Sequence, residues 1–385
     1  MILRYPDYYE HFSCIAGRCE DTCCAGWEID LDDETYEAYM EVPGDFGREL
    51  RDKIKDYDLE EEEVYESHGF CLGPDGRCPF LDQDNLCRIY KKFGEKALSY
   101  VCTHTPRNYL EYGGSREIAI SVSCPEAGRL IFGQREKMSL VEKEIEEDFP
   151  WDESPEELWE AKTIQMARDR VIEILQNRDC AIEQRICQAI AYGKRVQDCL
   201  NGGDLDRVAD LEPGDIGPLE AGDGYQYFLG RVKSYSQMDS INQTWDQTLL
   251  KIKEAYLDDS TGVEQYAKDR ENFQSMVREK ERDHWLEQLI VYEAFLCLAR
   301  SVDGMDFLGQ IKFAVASYLM ILDMNALDYR AKGENFGLED FSANARIYAK
   351  EVEHSEANLE LLAEDCLFEE AYEVDHLMEA VLTLT

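Results

Sequence analysis

Residues 14–27 read Cys14-Ile15-Ala16-Gly17-Arg18-Cys19-Glu20-Asp21-Thr22-Cys23-Cys24-Ala25-Gly26-Trp27, four thiols within eleven residues. Such crowding lets a short backbone segment present several sulfurs to one ion or cluster, while more distant cysteines close the site. The series continues as Cys71-x6-Cys78-x8-Cys87-x14-Cys102-x21-Cys124, so nine of the 14 cysteines fall in the first 124 residues. With Cys71 set aside, eight thiols remain, enough for two four-ligand sites or for one cluster with extra thiols. Spacing alone leaves three readings open: an iron–sulfur cluster, a structural zinc staple, or catalytic redox thiols. The region is poor in apolar sequence, so metal binding and folding are expected to be coupled.

The opening residues carry Arg4, Asp7 and Glu10 without an apolar run, unlike a secretory signal, and no stretch of about 18 apolar residues occurs. A cytoplasmic, reducing location is therefore expected, where clustered thiols mean metal or catalysis rather than disulfides. The chain has 385 residues, 44% hydrophobic and 11% aromatic, enough for two or three packed domains. Its 82 acidic against 40 basic side chains give a formal charge of −42. That field repels phosphate backbones and anionic membrane surfaces, and it attracts a lysine-bearing protein at low salt. Neither nucleic acid nor membrane is an expected partner.

The expected architecture is mainly α: a small loop-rich cysteine and metal domain with a short β-hairpin, residues 1–130, followed by a multi-helix domain. Within the first part, 108–123 reads as strand, Gly113-Gly114 turn, strand. Asp30 to Met40 and Phe46 to Lys55 read as short helices, and the Glu60 to Glu63 run as a solvated loop or helix end. Ser154-Pro155-Glu156-Glu157 then combines an N-cap serine, a proline at the first helical position and a capping-box glutamate. Leu158, Ala161, Ile164, Val171, Ile172 and Leu175 share one face of that helix, and Ile182, Ile186, Ile190, Val196 and Leu200 repeat the pattern in the next. This gives a helical segment at 131–200, a glycine-rich linker at 201–224 and a helical domain at 225–385. Long helices are expected there at about 225–258, 264–302, 305–327, 342–355 and 358–382.

The cysteine region also resembles a known family. Phe12-Ser-Cys14-Ile-Ala-Gly-Arg-Cys19-Glu-Asp-Thr-Cys23-Cys24-Ala-Gly-Trp27, with Asp32 and Thr35-Tyr36 following, is similar to the opening of the bacterial flagellin lysine-N-methylases. So are Gly76-Arg-Cys78-Pro-Phe-Leu81, Leu86-Cys87-Arg-Ile-Tyr90, Leu98-Ser99-x2-Cys102, Pro106-Arg107-x-Tyr109 and Ser123-Cys124-Pro-Glu-Ala127. More distantly the segment resembles small zinc- or iron-chelating cysteine domains. The resemblance implies methyl transfer from S-adenosylmethionine to flagellin lysines, with a [4Fe–4S] cluster in the cysteine domain. It also implies a ligand set drawn from Cys14, Cys19, Cys23, Cys24, Cys78, Cys87, Cys102 and Cys124, with Cys71 outside the pattern.

That chemistry constrains other residues. A lysine must lose its proton before attacking a methyl sulfonium, which calls for a partly desolvated channel with a carboxylate or tyrosine beside it. Trp27 and Tyr109 offer aromatic faces either to a sulfonium or to packing around the metal, and Arg107 offers a fork to the carboxylate of S-adenosylmethionine or to a salt bridge. No glycine-rich dinucleotide fingerprint precedes a helix, and the cysteine spacing departs from the Cys-x3-Cys-x2-Cys pattern of radical enzymes. A cluster with one iron free of protein ligands would have room to chelate S-adenosylmethionine directly. Cys180, Cys187, Cys199, Cys297 and Cys366 read as core residues. His104 follows Cys102 closely but is left out of the ligand set, and His284, His354 and His376 lack the paired spacing of a zinc helix. The competing function is a non-catalytic iron- or zinc-binding and delivery module, or a zinc-stapled interaction scaffold.

Overall fold

Gly113 and Gly114 both adopt positive φ, 60° and 74°, as the tight turn of a two-residue hairpin requires, and they join strands Arg107–Tyr112 and Ser115–Ile120. The computed structural model describes residues 1–57, 66–74, 76–146, 154–214, 216, 224–241, 243–257 and 261–382. The Glu60 to Glu63 run lies outside them. Contacts divide the chain into two units: one of Met1–Phe12, Tyr109–Ser123 and Ala127–Thr385, the other of Ser13–Asn108 and Cys124–Glu126.

In the larger unit the hairpin is half of a four-stranded sheet. Ile2–Pro6 runs parallel to Ser115–Ile120, with Arg4 opposite Glu117, and antiparallel to Leu140–Glu144. This corrects the 1–130 boundary: the first twelve residues and the hairpin are bound to the helical part by strand pairing, a long-range relation that cysteine density does not report. Leu140–Glu144 likewise interrupts the expected helical segment at 131–200. Ser154 and Glu157 close the reciprocal capping box, and the helix Pro155–Leu175 follows as expected. Ile182–Gly202 ends at Gly203, whose φ of 70° is left-handed. The expected linker therefore begins two residues later, and it contains a short turn of helix, Leu205–Asp210, that buries Leu205 and Val208.

At the centre lies Phe307–Lys332, apolar on every side. Its segment is long and apolar enough to cross a membrane, but 83% of the qualifying window is buried within the protein, which marks a core helix. Three expected long helices are each two. Gly224–Tyr235 and Gln243–Tyr256 are separated by a corner whose Asp239 and Ile241 N–H groups donate to the Asn358 and Glu351 side chains. Gly262–Glu279 and Asp283–Ala299 are separated at Glu281, which has φ 53°. Glu356–Phe368 and Val374–Leu382 complete the set. Periodicity continued through each break because the flanking apolar residues stay in phase.

The smaller unit carries a three-stranded antiparallel sheet, Asp30–Leu31, His68–Phe70 and Ile54–Asp56, with His68–Phe70 in the middle. Gly69 is required there: a Cβ would fall 2.2 Å from the Tyr57 hydroxyl, which crosses it to donate to Asp30. The expected short helices appear as Asp33–Glu41 and Gly44–Asp52. Ile29, Leu31, Tyr39, Leu50, Phe70, Phe80 and Ile89 form a continuous buried core. The expectation of little apolar core is thereby corrected, because the residues that build it are scattered between the cysteines rather than gathered in one run.

Candidate metal centre and adjoining cleft

The thiols are distributed around that core. Cys78 is buried in it, and Cys24, Cys87 and Cys102 pack against it half-buried. Backbone pairing explains the gathering. The Cys78 N–H donates to the Cys24 carbonyl at 2.8 Å, Leu81 bridges to Cys87, and Cys87 caps the helix Arg88–Phe93. Cys102 lies within the short helix Tyr100–His104. Burial pushes the Cys78 thiol up to about 12 and Cys102 up to about 11, and in each case neighbouring thiols add to the shift, Cys87 in both and Cys23 for Cys102. Crowded sulfurs that repel one another as thiolates form a soft donor set whose natural partner is a cation such as iron or zinc. Among the described residues no three His, Cys, Asp or Glu side chains stand at the separations a single ion would need.

The other expected ligands are spread around this group. Cys14 is exposed and its sulfur accepts the Ala16 N–H at 3.4 Å, while Cys19, half-buried, closes the turn Ala16–Arg18. Cys23 is exposed, and its carbonyl accepts the Trp27 indole N–H at 2.9 Å, which fixes the half-buried Trp27 beside the thiols. Cys124 belongs to the same unit, immediately before the helix Pro125–Gly133. Cys71 is exposed and its N–H is held by the Lys53 carbonyl. Arg107 and Tyr109 point to one face of strand Arg107–Tyr112, but they fall in different units. Cys187, Cys199, Cys297 and Cys366 are buried, in keeping with core packing, whereas Cys180 is half-buried.

A cleft of about 820 Å³ opens in the cysteine unit, its wall including Asp32, Tyr39, Glu66, Phe93, Leu98 and Tyr100. Asp32 caps the helix Asp33–Glu41, accepting the Thr35 N–H at 2.9 Å and, from across the cleft, the Tyr100 N–H at 2.7 Å. Burial acts to raise its pKa, but these donors prevail and hold the carboxyl below its ordinary value. Glu66 is pushed the other way, by burial and then by the charges of Asp32, Asp33 and Asp30. Tyr39 donates to the Ala97 carbonyl at 2.6 Å, and its hydroxyl is raised by burial and then by Cys102 and Cys87. Carboxylates, aromatic faces and an apolar wall thus meet next to the thiol group. An ammonium on an aliphatic stem suits such a lining. Asp32 entered the sequence reading only through the family resemblance, and Glu66, Tyr39 and Tyr100 carried no sequence signal for a shared wall.

The larger unit holds a second group that sequence reasoning missed. The buried Glu293 and the half-buried Glu353 lie in each other's field, and Tyr292 donates to Glu353 at 2.8 Å. Ser121 reaches the same carboxylate at 3.2 Å, and His354 Nε2 lies 3.2 Å from Ser121 Oγ and 3.1 Å from Ser123 Oγ. Burial raises Glu353 to about 7 and lowers His354 to about 4. A lone glutamate inside the apolar run Val291-Tyr-Glu293-Ala-Phe-Leu was the available signal.

Comparison with known proteins places this architecture. A family model described as the FliB lysine N-methylase C-terminal domain matches residues 168–381. The chain is 34% identical over 142 residues to the Lysine-N-methylase of Salmonella choleraesuis (strain SC-B67), a match covering 36% of this chain and 35% of that protein. It is also 34% identical over 140 residues to the flagellar biosynthetic protein FliU of Salmonella muenchen, covering 36% of this chain and 81% of that one. The chain thus spans about a third of the first of these relatives. No solved structure matches. The helical unit described above, with its buried ion pairs and central apolar helix, accordingly belongs to the FliB lysine N-methylase family.

Proposed function

We propose that the protein is an S-adenosylmethionine-dependent protein-lysine N-methyltransferase that acts on flagellin in the cytoplasm and carries a [4Fe–4S] cluster in its cysteine unit. Membership of the family, with relatives named for lysine N-methylation and for flagellar biosynthesis, is the observation that carries this reading. The cleft supports it: Asp32 and Glu66 attract an incoming ammonium, Tyr39, Phe93 and Tyr100 offer faces to it, and Leu98 lines the way for the aliphatic stem. Once the amine is docked there, a carboxylate receives its proton, and the freed lone pair attacks the methyl carbon as the carbon–sulfur bond breaks and the sulfur leaves as a neutral thioether.

The thiols Cys24, Cys78, Cys87 and Cys102, with Cys23 beside them, are the residues that would hold the cluster. When bound, the cluster would offer Lewis-acidic iron next to the cleft. Cys14, Cys19 and Cys124 then serve as the remaining candidates of the expected set, and Arg107, Tyr109 and Trp27 as candidates for holding S-adenosylmethionine.

The test is anaerobic purification with iron and sulfide analysis, followed by incubation with S-adenosylmethionine and flagellin. Flagellin lysines should gain the mass of a methyl group, and omission of S-adenosylmethionine should abolish the gain. Unmodified flagellin in the presence of a fully loaded protein would refute the activity.

A further inference from the structure

Three helices of the larger unit bring two arginines and one aspartate into the same sealed place. Arg231 on Gly224–Tyr235, Arg270 on Gly262–Glu279 and Asp323 on Phe307–Lys332 are 1%, 2% and 1% exposed. Arg270 Nη1 bonds Asp323 Oδ1, whereas the nearest approach of Arg231, Nη2 to Oδ2, is 3.6 Å, too long for a hydrogen bond. All three nitrogens of Arg231 and two of Arg270, Nε and Nη2, have no hydrogen-bond partner among the described residues. The buried acceptors left over beside them are Asp323 Oδ2 and the Tyr318 hydroxyl.

The charges do not balance either. Asp269 is matched by Arg330 at 3.3 Å and Glu183 by Arg278 at 3.3 Å, so these two buried carboxylates have cations of their own. Asp323 is matched by Arg270, which leaves the Arg231 charge over. A guanidinium does not shed its proton in a protein, so burial cannot neutralise it as it would a lysine. An internal water would satisfy donors but leave the charge, and an uncompensated buried charge is strongly destabilising. Excess donors and one excess positive charge together specify an acceptor with a single negative charge.

We infer that a small monovalent anion, a halide or a small carboxylate, binds between Arg231 and Arg270 inside the helical unit, at a site separate from the methyl-transfer cleft. Thermal unfolding of the full chain in sodium chloride, bromide or acetate is compared with sodium gluconate at equal ionic strength, gluconate being too large to enter. Melting should rise by about 5 °C at an anion concentration a hundredfold above its dissociation constant. A rise with chloride and bromide alone assigns a halide, and a rise with acetate alone assigns a carboxylate. Arg231→Met should remove the dependence, and a dependence that survives the substitution overturns the site. Crystals in bromide supply a readout that needs no variant: an anomalous peak within hydrogen-bond reach of Arg231 supports the inference. Water alone in that position, with equal melting in all four salts, refutes it.

Discussion

Arg168 and Glu117 form a two-pronged ion pair in which neither side chain exceeds 4% exposure, Nη2 reaching Oε1 at 2.7 Å while Nη1 meets Oε2. Arg4, from the first strand, donates to the same Oε1 at 2.9 Å and to Asp169 at 2.6 Å. One carboxylate therefore ties strands Ile2–Pro6 and Ser115–Ile120 to the helix Pro155–Leu175. Glu117→Gln would leave two guanidiniums sharing a neutral amide, and a loss of about 3–5 kcal/mol is expected, read as a lower urea midpoint.

The same pair predicts an acid limb. Burial alone would raise Glu117, but Arg168 and Arg4 outweigh it and hold the carboxyl at about 2 against an ordinary 4.5. A depressed folded-state pKa gives stability that is complete above the ordinary value and is lost as pH falls towards 2. Urea melts at descending pH should show that loss in the parent protein and a flatter limb in Glu117→Gln. Parallel limbs would count against the assignment.

Glu353 and His354 are adjacent in the chain and push stability in opposite directions. Glu353, raised to about 7 chiefly by burial, keeps its proton longer folded than unfolded, so its contribution falls as pH rises from about 4.5 to 7. Glu293 shares that direction, through burial and then Glu353. His354, lowered to about 4 by burial and then by Lys350 and Arg300, contributes stability that grows as pH climbs from about 4 to 6.5. Substituting both glutamates with glutamine should unmask a shallow rising slope, because solvent screens the exposed His354. His354→Asn should steepen the fall. Slopes of one sign in both variants would show that the two groups are not opposed.

What the sequence disclosed follows from the range of each signal. The Ser154 capping box, the Gly113-Gly114 turn and the apolar faces of Pro155–Leu175 and Ile182–Gly202 are local, and they were readable because a few residues decide them. Strand Ile2–Pro6 was not, because its partners are residues 115–117 and 140–144. The thiols could be counted, but their grouping around Phe70 and Phe80 depends on hydrogen bonds such as Cys78 to Cys24. The Asp32 cleft joins residues from 32 to 103 and had no spacing rule to announce it.

Asp32 allows its charge to be separated from its capping role. Asparagine is as good an N-cap as aspartate, so Asp32→Asn should keep the Thr35 N–H cap on the helix Asp33–Glu41 while removing the negative charge from the cleft and the second oxygen that accepts the Tyr100 N–H. On the proposed function, kcat/KM for flagellin should fall by about 10- to 100-fold, the value of one charge-assisted contact, with stability lowered by about 1 kcal/mol for the lost Tyr100 bond. Asp32→Ala should lose about 1 kcal/mol of stability beyond that. Full activity in Asp32→Asn would remove this carboxylate from substrate binding.

Cysteine variants separate ligands from bystanders, because the smaller unit has an apolar core of its own. Cys78→Ser and Cys102→Ser place a harder oxygen where a buried and a half-buried thiol face their neighbours, and iron and sulfide content should drop to a small fraction of the parent's. Cys71→Ser alters an exposed thiol outside the group and should leave both contents unchanged. Circular dichroism should be similar for all three, so a loss of iron is not a loss of fold. If Cys71→Ser depletes iron as severely as Cys78→Ser, the ligand set is wrong. If the parent instead carries zinc and no sulfide, the cysteine unit is a structural staple beside the cleft.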